Sequence, residues 1–194
     1  MGPITTGTKI SLEHQIVGVE AERLWRFYDN IFGPLNDDSP CRQSLHHDDF
    51  LALLGSSKFV KLIAKGADGT ILGFTAFSVL EEEMPLMPWI STRYFQKRWP
   101  EFWGRIIYVP IIGVPRDARS LGTGKELMLQ ILRYMREHRF PLIGFDHSVG
   151  NIPYLPGLIM KITNGKPMGR LSRKGELDNQ AYYLLRDQYQ LPEG

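Results

Sequence analysis

The sequence predicts a mixed α/β (α+β) fold, in which a mostly antiparallel, twisted sheet is flanked by helices and carries one parallel strand pair at its centre. Three stretches carry that expectation. Lys58–Lys65 and Thr70–Leu80 are β-rich runs joined by Gly66-Ala67-Asp68-Gly69, the pattern of a hairpin. Arg105–Val114, β-branched and aromatic, leads through a loop to apolar Leu127, Met128, Ile131, Leu132 and Met135 at helical spacing. A further apolar run over Pro141–Val149 follows, and a right-handed strand–helix–strand crossover makes the two strands parallel. Glu20–Phe32 sets Leu24, Trp25, Tyr28, Ile31 and Phe32 along one helical face, and Gly33-Pro34 ends it.

The remaining elements follow in chain order. A short strand signal lies in Ile10–Val17, ahead of the first helix. After the loop Asn36–Pro40, His46-His47-Asp48-Asp49 precedes Phe50–Leu54, a short helix whose first turn is acidic as the helix dipole favours. Adjacent histidines on a helix point in different directions, so this pair reads as a solvated helix start, and no metal is expected. Between about 81 and 104 lies an irregular or partly helical insertion holding Met84, Met87, Tyr94, Phe95 and three of the four tryptophans. Long loops in compact domains are usually lids or binding loops, so Trp89 and Glu82 are candidate substrate-binding residues. A satellite hydrophobic cluster explains the same composition equally well. Asn151–Thr163 reads as a helix begun late because of Pro153 and Pro156, and Lys166–Arg173 and Gln180–Arg186 as two closing strands.

With 194 residues and a formal charge of +2, the chain is expected to form one domain over 1–194, too weakly basic to imply nucleic acid. The single Cys41 cannot form an internal disulfide, and no signal segment or long apolar span is visible, so a cytoplasmic protein without membrane contact is expected.

The chemistry concentrates in Gly113-Val114-Pro115-Arg116-Asp117-Ala118-Arg119-Ser120-Leu121-Gly122-Thr123-Gly124-Lys125, between strand and helix. A helix start leaves amide groups unpaired and carries the positive dipole end. Gly122 and Gly124 let that backbone approach a ligand, and Arg116, Arg119 and Lys125 add charge. A phosphate is the natural guest. A Walker loop needs a glycine where Arg119 stands and Ser or Thr where Glu126 stands, and a dinucleotide fingerprint needs a third glycine. Both fail.

What the residues match is Arg119-x-x-Gly122-x-Gly124 after Ile112-Gly113-Val114, which resembles the acyl-CoA pyrophosphate loop of the GNAT superfamily, the GCN5-related N-acetyltransferases. The element order resembles that fold along most of the chain. The resemblance implies that the two central parallel strands splay apart, with acetyl-CoA or another acyl-CoA in the opening as co-substrate. Pantetheine would then pair with Ile112, Gly113 and Val114, and the pyrophosphate with amides from Ser120, Leu121, Gly122, Thr123, Gly124 and Lys125. Asn151 resembles an asparagine often found just past the parallel strand. The tyrosine acid frequent in the family falls at Leu158 here, with Tyr154 the nearest replacement. The central-strand glutamate falls near Pro110, with Tyr108 one pleat away as a substrate-binding candidate. Candidate bases are Glu81, Glu82, Asp146 and His147, of which histidine has the more useful ordinary pKa.

The function implied is an acyl-CoA-dependent N-acyltransferase that moves an acetyl or other acyl group to the amine of a small molecule or peptide. Two alternatives stand beside it. One is a synthase of N-acyl amino acids or acyl-homoserine lactones that draws on an acyl carrier protein, and the other is a module that binds acyl-CoA without turnover. A homodimer is a further candidate assembly.

Overall fold

A computed structural model describes residues 8–36, 44–81, 86, 87, 90–115 and 122–145, together with the backbone of 171–176 and 183–187. The strands are β1 (Lys9–Glu13), β2 (Phe59–Lys65), β3 (Ile71–Val79), β4 (Ile106–Gly113), β5 (Leu142–Phe145), β6 (Leu171–Glu176) and β7 (Tyr183–Asp187). The helices are α1 (Val19–Phe32), α2 (His47–Gly55), α3 (Thr92–Arg98) and α4 (Thr123–Glu137). The seven strands form one sheet in the order β1-β2-β3-β4-β5-β7-β6. β4 and β5 run parallel, whereas β1 with β2, β5 with β7 and β6 with β7 run antiparallel. The mixed, mostly antiparallel sheet expected from the sequence is therefore present. The chain divides into two compact units, Met1–Phe77 with Ile111–Leu127, and Ser78–Pro110 with Met128–Gly194.

The first unit is built on an aromatic core. Leu24 and Tyr28 of α1 are buried, and Tyr28 stacks on Phe50 of α2 at 4.4 Å, which in turn meets Phe74 of β3 edge-on at 5.8 Å. Burying one such side chain is worth roughly 1.5–3 kcal/mol, so these rings dominate the docking of α1 and α2. Their polar ends are not wasted. The Tyr28 hydroxyl accepts a hydrogen bond from the Leu45 amide at 2.7 Å, fixing the approach to α2.

β1 ends at Glu13 and not at Val17, and the cause is a buried lysine. Lys61 of β2 has no exposed surface, and its Nζ donates to the carbonyls of His14 at 2.7 Å and Ser56 at 2.5 Å. The Ile16 amide donates to Leu54 in α2 at 2.9 Å. The bonds at His14 and Ile16 hold the chain out of the sheet immediately after Glu13. Burial pulls the Lys61 ammonium down to about 8, because removing a charge from water disfavours it.

The β2–β3 hairpin closes as expected. Gly66 donates to Thr70 across the turn, Asp68 accepts from the Thr70 amide and hydroxyl, and Gly69 takes a φ of 81°. At the start of α2, His47 contacts Asp48 at 3.0 Å and Glu22 of α1 at 3.3 Å. The adjoining Asp48 carboxylate first, and Glu22 second, raise the affinity of its ring for a proton.

In the second unit, β4 is buried from Ile106 to Val109 and pairs with β5 from Ile106↔Leu142 to Val109↔Phe145. Met128, Ile131, Leu132 and Met135 form the buried face of α4, at the spacing read from the sequence. The insertion carries α3, capped by the Ser91 hydroxyl, which accepts from Tyr94 N, and a 3-10 turn at Pro100–Phe102. Its described apolar residues pack inward. Met87, Ile90, Phe95 and Phe102 are buried, and Tyr94, Phe95 and Trp99 form a three-ring cluster with centroids about 6 Å apart. That is the satellite-cluster arrangement for this part of the insertion.

The remaining expectations shift or fall elsewhere. The last two strands lie at Leu171–Glu176 and Tyr183–Asp187, a few residues after the runs read from sequence. The proposed helix at 151–163 and the end of the parallel strand at 146–149, where splaying is expected, lie outside the described residues. Among the described residues no helix is long and apolar enough to cross a membrane, and no cluster of three His, Cys, Asp or Glu side chains is placed to hold a metal.

Candidate functional site

The end of β4 and the start of α4 lie in the first unit, where two glycines permit close packing and a third takes a left-handed conformation. Gly73 sits on β3 where a Cβ would stand 2.8 Å from Thr123 Cγ2 and 3.0 Å from Leu127 Cδ1, so only glycine lets the first turn of α4 lie this near the strand. Gly113, at the end of β4, would place a Cβ 2.9 Å from the ring of Phe32 on α1. Gly122 takes a φ of 76°, a left-handed conformation that costs other residues roughly 1–2 kcal/mol.

Hydrogen bonding secures both ends of the turn. On β4 the Ile111 carbonyl accepts from the buried Thr75 hydroxyl at 2.6 Å, one residue after Pro110, which has no N–H of its own to offer the ladder. At the helix the Glu126 amide donates to the Gly122 carbonyl at 3.0 Å, the first such bond of α4 among the described residues. The amides of Thr123, Gly124 and Lys125 precede it and have no carbonyl one turn back within the helix. Three donors thus lie together at the positive end of a 15-residue helix, with Lys125 exposed alongside.

α4 begins at Thr123, four residues before the apolar pattern starts at Leu127. Gly122, in its left-handed conformation, turns the chain so that Thr123 and Gly124 form the first turn. Thr123 is 2% exposed, and its hydroxyl is buried without a hydrogen-bond partner among the described residues. Its methyl is the group that faces Gly73. Gly124 has more room, since a Cβ there would meet only Val114 Cγ2, at 3.5 Å.

The structure therefore brings together Gly113, Val114, Gly122, Thr123 and Gly124 of the expected donor-binding set. Ile112 and Val114 are half-buried, and Lys125 is exposed. Tyr108 stands on β4 opposite Gly144 of β5 and is 1% exposed. Glu81 is exposed. Arg116, Arg119, Ser120, Leu121, Glu82, Trp89, Asp146, His147, Asn151 and Tyr154 lie outside the described residues. Sequence reading missed Gly73 and Thr75, although a lone glycine within a strand pattern is a signal of close backbone approach.

No protein-family model matches the sequence, and no curated protein matches it. Solved structures do match over nearly the whole chain. An N-acyl amino acid synthase from uncultured soil microbes, FeeM, superposes with a TM-score of 0.61 at 10% identity, over 92% of this chain and 90% of its own. A GNAT-family acetyltransferase from Listeria monocytogenes gives 0.60 at 12% identity, over 91% and 92%. The Escherichia coli GNAT-family N-acetyltransferase YhbS, solved in complex with CoA, gives 0.56 at 13% identity, over 96% and 84%. At such identities the likeness is one of architecture. The chain has the GNAT fold.

Proposed function

We propose that this chain is an acyl-CoA-dependent N-acyltransferase acting on the amine of a small molecule or peptide. The observation that carries the reading is the start of α4, where three amides without helical acceptors stand behind a left-handed Gly122, after the central strand of a GNAT fold. Those amides, together with the exposed Lys125, suit the diphosphate of CoA. Backbone groups of Ile112, Gly113 and Val114 would pair with the pantetheine arm, and Arg119, Ser120, Leu121 and Asn151 would complete the donor site. In the reaction the amine nitrogen forms a bond to the thioester carbonyl carbon, the carbon–sulfur bond breaks, the amine loses a proton and the leaving thiolate gains one. Tyr154 is assigned the proton donor, and His147, with Asp146 beside it in sequence, the base. Glu82, Trp89 and Tyr108 are assigned to the acceptor or acyl pocket.

The likeness to an N-acyl amino acid synthase, together with the Met- and aromatic-rich stretch at 81–104, supports a second reading in which the donor is a long acyl chain on a carrier protein. One experiment separates the readings. Acetyl-CoA, longer acyl-CoAs and acyl carrier protein thioesters are each mixed with the protein and an amine panel while free thiol is followed, and binding is measured by calorimetry. Thiol release from acyl-CoA supports the first reading, and release from carrier protein alone supports the second. Binding without release identifies a non-catalytic module, and no binding of any donor refutes all three. Tyr154→Phe should retain binding and lower the single-turnover rate about a hundredfold.

A further inference from the structure

β1 is the outermost strand of the sheet, and among the described residues only β2 pairs with it. An unpaired edge presents a row of N–H and C=O groups that another strand can take up. The sequence of this edge has a particular symmetry. Lys9-Ile10-Ser11-Leu12-Glu13 runs cation, apolar, hydroxyl, apolar, anion, and is therefore complementary to its own reverse. Antiparallel pairing with a second copy, about a two-fold axis at Ser11, sets Lys9 opposite Glu13, Ile10 opposite Leu12 and Ser11 opposite itself.

The chain leaves both charges to be used in this way. Across the ladder to β2, Lys9 stands opposite Lys65, a like charge, and Glu13 opposite Lys61. Lys65 is engaged by Glu20 and Lys61 by two backbone carbonyls, and neither Lys9 nor Glu13 has an ion pair among the described residues. Opposite charges across strands are favourable and like charges unfavourable, so Glu13 of the second copy supplies what Lys9 lacks. The apolar surface points the same way. Four large apolar side chains are exposed among the described residues, and three of them, Leu12 (45%), Val17 (73%) and Val19 (81%), lie on β1 or the corner leading into α1. That corner also holds a groove of about 280 Å³ lined by Ile16, Val17, Gly18, Ala21, Glu22 and Leu51. In the same register Thr8 of the second copy falls opposite His14, at the foot of the corner.

We propose that the outer edge of β1 docks a second copy of this chain, forming an isologous dimer in which two sheets join through β1. A five-residue strand spans about 17 Å, and stable interfaces bury about 1,200–2,000 Å², so the association is reversible and weak. The test uses the full chain in a Cys41→Ser background. Residues directly opposite across an antiparallel pair have Cα atoms about 4.5–5.5 Å apart, inside the range a disulfide spans. Ser11→Cys should therefore cross-link to itself under mild oxidation. Lys9→Cys, whose twin lies four residues along at about 13 Å, should not. In sedimentation equilibrium, Lys9→Glu and Glu13→Lys should each weaken the dimer about tenfold, and the double reversal should restore it. A chain that stays monomeric at all soluble concentrations would overturn the proposal. So would Lys9→Cys linking as fast as Ser11→Cys, or single reversals without effect, or a double reversal without recovery.

Discussion

Thr123→Val should make this protein more stable. Its hydroxyl is buried at the start of α4 and has no hydrogen-bond partner among the described residues, and a buried polar group left unsatisfied costs about 1–3 kcal/mol. Valine has the same shape. The methyl that faces Gly73 stays in place, and threonine and valine differ little in helix propensity, so removal of the orphaned group dominates. For a chain of this size each kcal/mol moves the melting temperature by about 2–4 °C, so a rise of about 2–12 °C is expected. The assay is thermal unfolding of both proteins without ligand, with acetyl-CoA calorimetry alongside. Valine retains the backbone amide that the proposed donor site would use, so acetyl-CoA affinity should stay within about twofold, well under the 1.4 kcal/mol that a tenfold change represents. A lower melting temperature would show that the hydroxyl is satisfied in the folded protein, and a tenfold loss of affinity that it serves the ligand. Either result refutes the reasoning.

The two loop glycines should behave differently: Gly122→Ala is expected to destabilise by about 1–2 kcal/mol because of its left-handed φ and to weaken acetyl-CoA binding. Gly124→Ala meets Val114 at an ordinary 3.5 Å and should do neither, as calorimetry and denaturant unfolding would show. Gly73→Ala drives a methyl to 2.8 Å from Thr123, so overpacking of about 1–3 kcal/mol and displacement of α4 should lower stability and donor affinity together. Lys61 gives a pH signature. Its folded value of about 8 lies below the ordinary lysine value of 10.5, so between the two the unfolded chain binds the extra proton. Stability should therefore rise with pH across that window, by at most about 1.4 kcal/mol per pH unit. Unfolding free energies from pH 7 to 10 should show the rise in wild type and not in Lys61→Met, and equal slopes would contradict it.

What the sequence revealed depended on how local its causes were. The hairpin was legible because Asp68 and Gly69 meet the needs of the turn within four residues, and α1 because Leu24 and Tyr28 fall at helical spacing. The loop before α4 could be read only as chemistry, since glycines, cations and a helix start point to an anion whatever surrounds them, and its residues 116–121 lie outside the described residues. The end of β1 was not legible, because it is set by Lys61, 47 residues away from the His14 carbonyl it captures. The closeness of α4 to β3 was likewise hidden, resting on a contact between Gly73 and Thr123 that appears only once both elements are folded. The insertion composition fitted a pocket wall or a packed cluster equally. In the described part Phe95 and Phe102 are buried and Tyr94 and Trp99 make ring contacts, while Glu82 and Trp89 lie outside the described residues.

The central claim is that the start of α4 binds the diphosphate of an acyl-CoA. Titrating ¹⁵N-labelled protein with acetyl-CoA, and in parallel with inorganic pyrophosphate, tests it most directly. The amide signals of Gly122, Thr123, Gly124 and Lys125 should shift with both ligands, more strongly and at lower concentration with acetyl-CoA, and Gly122→Ala should weaken the effect. Saturable binding of acetyl-CoA that leaves those four signals unmoved would contradict it, as would no binding at all.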